Sequence, residues 1–210
     1  MKTMVPPDPT MGRRDRKRQQ TREALVTAAL RLVDERGLDH VTVEEISAAV
    51  DVSARTFFNY FPTKDDALVG AHAVADVESL RERFAETPPD VPVLAAFRRA
   101  LGETVATMQE EQELWFLRMR VVSKNPSLIP RLVAASHDAD RVMAVAIADR
   151  LGVDPDADGY PALVVAVGGA VFRTAMTRWA QCDGARPLAG LVDEAFAAVA
   201  AGLPDPSPTA

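Results

Sequence analysis

The chain carries one cysteine, Cys182, so it cannot close a disulfide on itself, and a reducing compartment suits it. No run of about 18 apolar residues occurs, the length a spanning helix needs. The nearest approach, 160–175, is shorter and is interrupted by Gly168-Gly169 and Arg173. The first twenty residues lack the apolar stretch of a secretory signal. A cytoplasmic protein with no membrane partner is therefore expected. Histidine is also scarce, at 3 residues. His137, Asp138 and Asp140 lie close in sequence but read as a solvated helix face, because no further Cys or His joins them. No metal and no other cofactor is expected. Cys182, beside Asp183-Gly184, has no nearby cation to make it reactive. A phosphate-cradling glycine loop, a nucleophile elbow and a metalloprotease helix are all missing, which disfavours an enzyme. Positive charge is not in excess either. The net charge is −6, and the first seventy residues balance 11 Lys+Arg against 11 Asp+Glu, leaving the whole deficit to the rest.

What is present is a structured stretch from Thr42 to Lys64, TVEEISAAVDVSARTFFNYFPTK. Thr42 with Glu45 three residues on forms a capping box at the start of a helix. Asp51-Val52-Ser53 makes a turn, and Ser53 caps a second helix. Pro62 ends it, because the residue before a proline avoids the α region, and Thr63 with Asp66 caps a third. At about 100° per residue the second helix, 54–61, gathers Ala54, Phe57, Phe58 and Phe61 on a side to be buried. Arg55, Thr56, Asn59 and Tyr60 gather on a polar side. So short a helix is not stable alone. Rigidly mounted, with hydrogen-bonding groups outward, it is the form a helix-turn-helix puts into the DNA major groove.

Around it, Leu25, Ala28, Ala29, Leu32 and Val33 give a buttressing helix over about 19–36, ended by Gly37 at C′. Ahead of that helix, Arg13, Arg14, Arg16, Lys17 and Arg18 form a basic arm suited to phosphates, following a proline-bearing leader. After Lys64 the pattern is helical throughout, with no strand pattern and no repeat. Helices are expected near 64–84, 93–108, 114–123, 129–151, 160–181 and 187–203. Residues 160–181 are apolar nearly all round, as in a helix buried on more than one side.

The Thr42–Lys64 stretch resembles the DNA-binding signature of the TetR family of bacterial transcriptional regulators. The matching residues are Thr42-Val43-Glu44-Glu45-Ile46, Val52-Ser53, Thr56-Phe57-Phe58-Asn59-Tyr60-Phe61 and Lys64. Two residues depart from the pattern. Asp51 stands where glycine is usual, and Asp tolerates a left-handed backbone. Phe58 stands where tyrosine is frequent, which removes one hydroxyl available to a phosphate.

The expected fold is all-α: a three-helix head with a helix-turn-helix over 19–63, then an all-helical ligand-binding and dimerisation body over 64–203, with a basic arm over 1–18 and a tail over 204–210. The DNA-binding set is Arg13, Arg14, Lys17, Arg18, Thr42, Ser53, Arg55, Thr56, Asn59, Tyr60 and Lys64. Arg55 and Asn59 are placed at base edges, and Thr42, Tyr60 and Lys64 at phosphates. The resemblance implies that the last two long helices pair with those of a second copy. Gly168, Gly169, Val171, Leu191, Val192, Ala195, Phe196 and Val199 are the expected contacts of that homodimer. It also implies a cavity for an apolar small-molecule effector, for which Trp115, Phe116, Met119, Met143, Phe172, Met176 and Trp179 are candidates. The partners expected are thus double-stranded DNA, a second copy and that effector, and the outcome is a ligand-released repressor on a palindromic operator. The alternative is a helical small-molecule-binding protein or enzyme whose head no longer binds DNA.

Overall fold

The computed structural model describes residues 13–69 and 77–204. The leader over 1–12, the middle of the expected 64–84 helix and most of the tail lie outside them. Among the described residues every regular element is helical. They fall into two compact units: one of residues up to 70 together with 117–129, the other of 71–116 and 130 onward.

The first unit opens with α1, Arg13–Arg36. It begins at Arg13, not at residue 19, so Arg13 to Arg18 are its opening turns and not a separate arm. Leu25, Val26, Ala29, Leu30 and Val33 bury its inner face. Gly37, at φ 87°, ends it, with its N–H on the Val33 carbonyl at 2.8 Å. A 3-10 turn, Leu38–His40, leads to α2, Val43–Ala48, then α3, Ala54–Phe58, then α4, Lys64–Val69. The end of α8, Gln112–Lys124, belongs here too. Two of its side chains, Arg120 and Lys124, clasp Asp34 of α1, at 3.0 Å and 2.8 Å. These cations hold the Asp34 carboxyl down at about 2.

The second unit contains α5 (Val77–Ala85), α6 (Val93–Ala100), α7 (Gly102–Glu110), α9 (Ile129–Leu151), α10 (Tyr160–Gln181) and α11 (Leu188–Ala200). The single helix expected over 93–108 is two, divided at Leu101. Arg83 fastens α5 across that division, donating to the Ala100 carbonyl at 3.0 Å and to Glu103 and Thr104 beyond it. Arg150, at the end of α9, lies 5.4 Å from the centre of the Phe84 ring and donates to the carbonyls of Thr87, Pro88 and Val91. The Leu188 N–H, an orphan at the start of α11, is met by the side-chain oxygen of Gln109 at 2.8 Å. Helix α10 has the 22 residues expected of it, and by length and composition it is apolar enough to cross a membrane, although its uninterrupted apolar run is shorter. Its Val164, Val165, Val171, Ala175, Met176 and Trp179 are part of a protein core, while Leu163, Ala166 and Ala170 stay exposed in this chain.

Burial corrects the dimer set. Gly168, Val171, Leu191, Val192 and Phe196 are buried within this one chain, with Leu191 and Val192 at 1% and 0% exposure, so none of them is a surface for a second copy. Ala195 and Val199 lean on the same core. Gly168 does admit a close neighbour, as its missing Cβ implied, but the neighbour is Phe97 of α6. A helical stripe reveals that a face is covered, not whose atoms cover it. The effector set gathers better. Met143, Met176 and Trp179 are buried in that core, with Trp115, Phe116 and Phe172 against it, while Met119 lies in the other unit. Phe116 and Trp179 touch with ring centres 4.8 Å apart. The Trp179 indole N–H is buried and meets no acceptor among the described residues.

Candidate nucleic-acid interface

The site is built from α2, the turn after it, and α3. The capping box at the start of α2 is complete. The Glu45 N–H donates to Thr42 Oγ1 at 3.2 Å, and the Thr42 N–H donates to Glu45 Oε2 at 2.9 Å. Glu45 also receives Arg36 at 3.1 Å, so the end of α1 and the start of α2 share one carboxylate. These bonds, the Thr42 N–H first, hold the Glu45 carboxyl below the usual range. The turn depends on Asp51, which takes φ 56°, the left-handed conformation where glycine would sit without strain. Ser53 then caps α3, its Oγ accepting from the Thr56 N–H at 3.1 Å and sharing a hydrogen bond with Thr56 Oγ1 at 2.9 Å.

Phe57 and Phe61 anchor α3. They are 0% and 1% exposed, with ring centres 5.4 Å apart. The guanidinium of Arg22, from α1, lies 5.2 Å from the centre of the Phe61 ring. Burial, and then the charge of Arg18, lower the pKa of Arg22 from the ordinary arginine value. Opposite these rings, Arg55 and Asn59 are exposed, and neither side chain makes a hydrogen bond among the described residues. Unpartnered donors on a rigid short helix can reach base edges without first breaking an internal bond. Tyr60 is half-buried, and its hydroxyl too has no partner among the described residues. Thr42 and Ser53 are exposed, with their hydroxyls in caps. Arg14, Lys17 and Arg18 stand exposed on the first turns of α1.

Two side chains differ from expectation. Phe58 is not buried with Phe57 and Phe61; it is 54% exposed. In a helix of 3.6 residues per turn it stands about 100° from Phe57, past the edge of the buried arc. The Lys64 ammonium does not point outward. It donates to the carbonyls of Leu38 and of Val41, the latter at 2.7 Å, tying the start of α4 to the link between α1 and α2. Sequence gave no sign of that role, because both partners are backbone atoms more than twenty residues earlier. Among the described residues no group of three or more His, Cys, Asp or Glu side chains could hold a metal.

Residues 25–70 match the family model described as bacterial regulatory proteins, tetR family, and residues 91–204 match one described as the MftR C-terminal domain, itself a TetR class. The chain belongs to the TetR family of transcriptional regulators. It is 36% identical over 173 residues to the HTH-type transcriptional regulator TcmR of Streptomyces glaucescens, covering 80% of this chain and 76% of that one. Among solved structures, FadR of Bacillus halodurans, a fatty acid degradation regulator, aligns at a TM-score of 0.57 and 15% identity, covering 85% of this chain and 94% of that one. SmeT, the repressor of the Stenotrophomonas maltophilia multidrug efflux pump SmeDEF, aligns at 0.56 and 18% identity, covering 91% and 99%. At such identities these two structures speak for the fold alone. The family is one of regulators, not catalysts, and the TetR head and helical body both have their counterparts here.

Proposed function

We propose that the chain is a sequence-specific repressor that binds a palindromic operator in double-stranded DNA as a homodimer and leaves it when a small apolar effector enters the body. It works in the cytoplasm, at the nucleoid. The observation that carries this reading is the outward face of α3, where Arg55 and Asn59 hold free donors and acceptors above the buried Phe57 and Phe61. Arg55 reads a guanine through O6 and N7, and Asn59 reads a neighbouring base. Thr42, Tyr60, Arg14, Lys17 and Arg18 meet phosphates and set the register. Lys64 acts from inside the head, holding the linker that positions α2. The head's charge balance does not weigh against DNA, because the basic residues are concentrated on the first turns of α1. The chief departure from the family pattern, Asp51, is harmless, since it adopts the backbone that the turn requires.

The homodimer would use the outward faces of α10 and α11, where Leu163, Ala166 and Ala170 on one helix and Gly190 and Ala197 on the other are exposed. Two-fold pairing is the commonest assembly and matches a two-half-site operator. The effector would take the place among Trp115, Phe116, Met143, Phe172, Met176 and Trp179. A buried donor without a partner costs about 1–3 kcal/mol, so an effector bearing a hydrogen-bond acceptor for the Trp179 N–H would recover that loss. Selection of bound sequences from random duplex DNA tests the whole reading. A palindromic consensus is expected; failure to enrich any sequence would leave a ligand-binding protein with a silent head.

A further inference from the structure

The face that α3 turns outward is not wholly polar. Phe58 lies on it, 54% exposed, beside Arg55 and Asn59. With 3.6 residues per turn, Phe58 stands about 60° to one side of Arg55 and Asn59 about 40° to the other. The three therefore share one arc of about 100°, with Arg55 between the other two. The Phe58 ring is also held in place. It meets the buried Phe57 ring edge to face, with centres 5.7 Å apart and planes at 85°. A fixed apolar ring is thus set beside the two side chains that carry the hydrogen-bonding capacity of this face.

The chemistry of a major groove offers one apolar group to such a ring. Each base pair there shows donors and acceptors, and only thymine adds a methyl, at C5. Phe58 has no hydroxyl to give a phosphate, so the phosphates of the duplex offer the exposed ring no hydrogen bond. We infer that Phe58 is a specificity-determining residue, reading the 5-methyl of a thymine beside the base pair that Arg55 contacts. Side chains three apart on a helix have Cβ atoms about 5–6 Å apart, and successive base pairs are stacked about 3.4 Å apart. The thymine therefore lies one or two base pairs from the guanine read by Arg55. This rests on α3 being the helix that enters the groove.

The probe is the operator selected from random DNA by the wild-type chain, remade with each thymine in turn replaced by deoxyuridine, which deletes only the methyl. Binding is read by fluorescence anisotropy at one salt concentration. One thymine per half-site, within two base pairs of the position whose preference is lost in Arg55→Ala, should bind about fourfold more weakly as uracil, the worth of one buried methyl. Phe58→Ala should bind thymine and uracil equally at that position while keeping the preference set by Arg55. Phe58→Leu, which retains an apolar side chain, should keep part of the discrimination. Both variants should stay folded at the assay temperature, Phe58→Ala melting somewhat below the wild type because it loses the contact with Phe57. Indifference to every uracil, or an undiminished thymine preference in Phe58→Ala, overturns the inference while leaving the operator reading intact. A selection that enriches no sequence removes that reading, and this inference with it.

Discussion

Gly168 of α10 lies against the ring of Phe97 of α6 so closely that a Cβ on Gly168 would stand 2.6 Å from Cε1 of that ring. Phe97 is itself buried and has Phe196 beside it, with centres 6.4 Å apart, so the ring has little room to retreat. Two effects compete in Gly168→Ala. Helix propensity favours alanine by about 1 kcal/mol, whereas overpacking a filled core costs about 1–3 kcal/mol. Overpacking should win by about 1 kcal/mol, and Gly168→Leu should fail to fold stably. Adding Phe97→Leu to Gly168→Ala should restore part of the loss. Urea unfolding decides this, and a Gly168→Ala protein more stable than wild type would refute the close approach.

That contact also marks where the sequence stopped being informative. Gly168 was legible as a place of close approach, and Tyr160–Gln181 and Ile129–Leu151 were legible as helices to the residue, because caps and periodicity are local properties. The capping box of Thr42 and Glu45, the left-handed Asp51 and the burial of Phe57 and Phe61 were local in the same sense. The partner of Gly168 was not local, since Phe97 lies some seventy residues away. Leu191, Val192 and Phe196 were misassigned for the same reason: the stripe they form closes the chain's own core. Phe58 was misread by a narrower margin. The edge of the buried arc on so short a helix falls between Phe57 and Phe58, and the choice depends on what α1 and α2 leave uncovered.

Lys64 separates a structural role from a DNA role by measurement. Its ammonium donates to the Leu38 and Val41 carbonyls. Hydrogen bonds from a charged donor contribute about 1.5–3 kcal/mol, so Lys64→Met should destabilise the head by about 2 kcal/mol in thermal or urea melts. A residue that neutralises a phosphate would, on removal, lower the slope of log K against log salt by about 0.9. The Lys64→Met slope should instead be unchanged at temperatures where the variant is folded. A reduced slope with unaltered stability would return Lys64 to the phosphates.

Arg55 should behave in the opposite way. It is exposed and bonds to nothing among the described residues, so Arg55→Ala should melt with the wild type. Binding to the selected operator should weaken by about 1–3 kcal/mol, with preference relaxed at one position per half-site. Competition binding against the set of single-base operator variants measures both. A uniform loss across all variants would make Arg55 a phosphate contact.

Asp34 gives the head a pH dependence whose sign is fixed. Arg120 donates to both of its carboxylate oxygens, and Lys124 to one of them at 2.8 Å. Its folded value of about 2 therefore lies below the ordinary carboxylate value. A depressed carboxyl stabilises the fold in full above its unfolded pKa, near about 3.9. That stabilisation disappears as the pH falls from about 4 through about 2, where the folded carboxyl at last takes up its proton. Asp34→Asn cannot make this change. Its melting temperature should lie below the wild type's at pH 6, and the two should converge as the pH approaches 2. The side chains of Arg120 and Lys124 are 53% and 55% exposed, so added salt should also narrow the gap at pH 6. Melting curves at several pH values and two salt concentrations check both effects. A difference that stays constant down to pH 2 would mean that the clasp formed by Arg120 and Lys124 contributes nothing through charge.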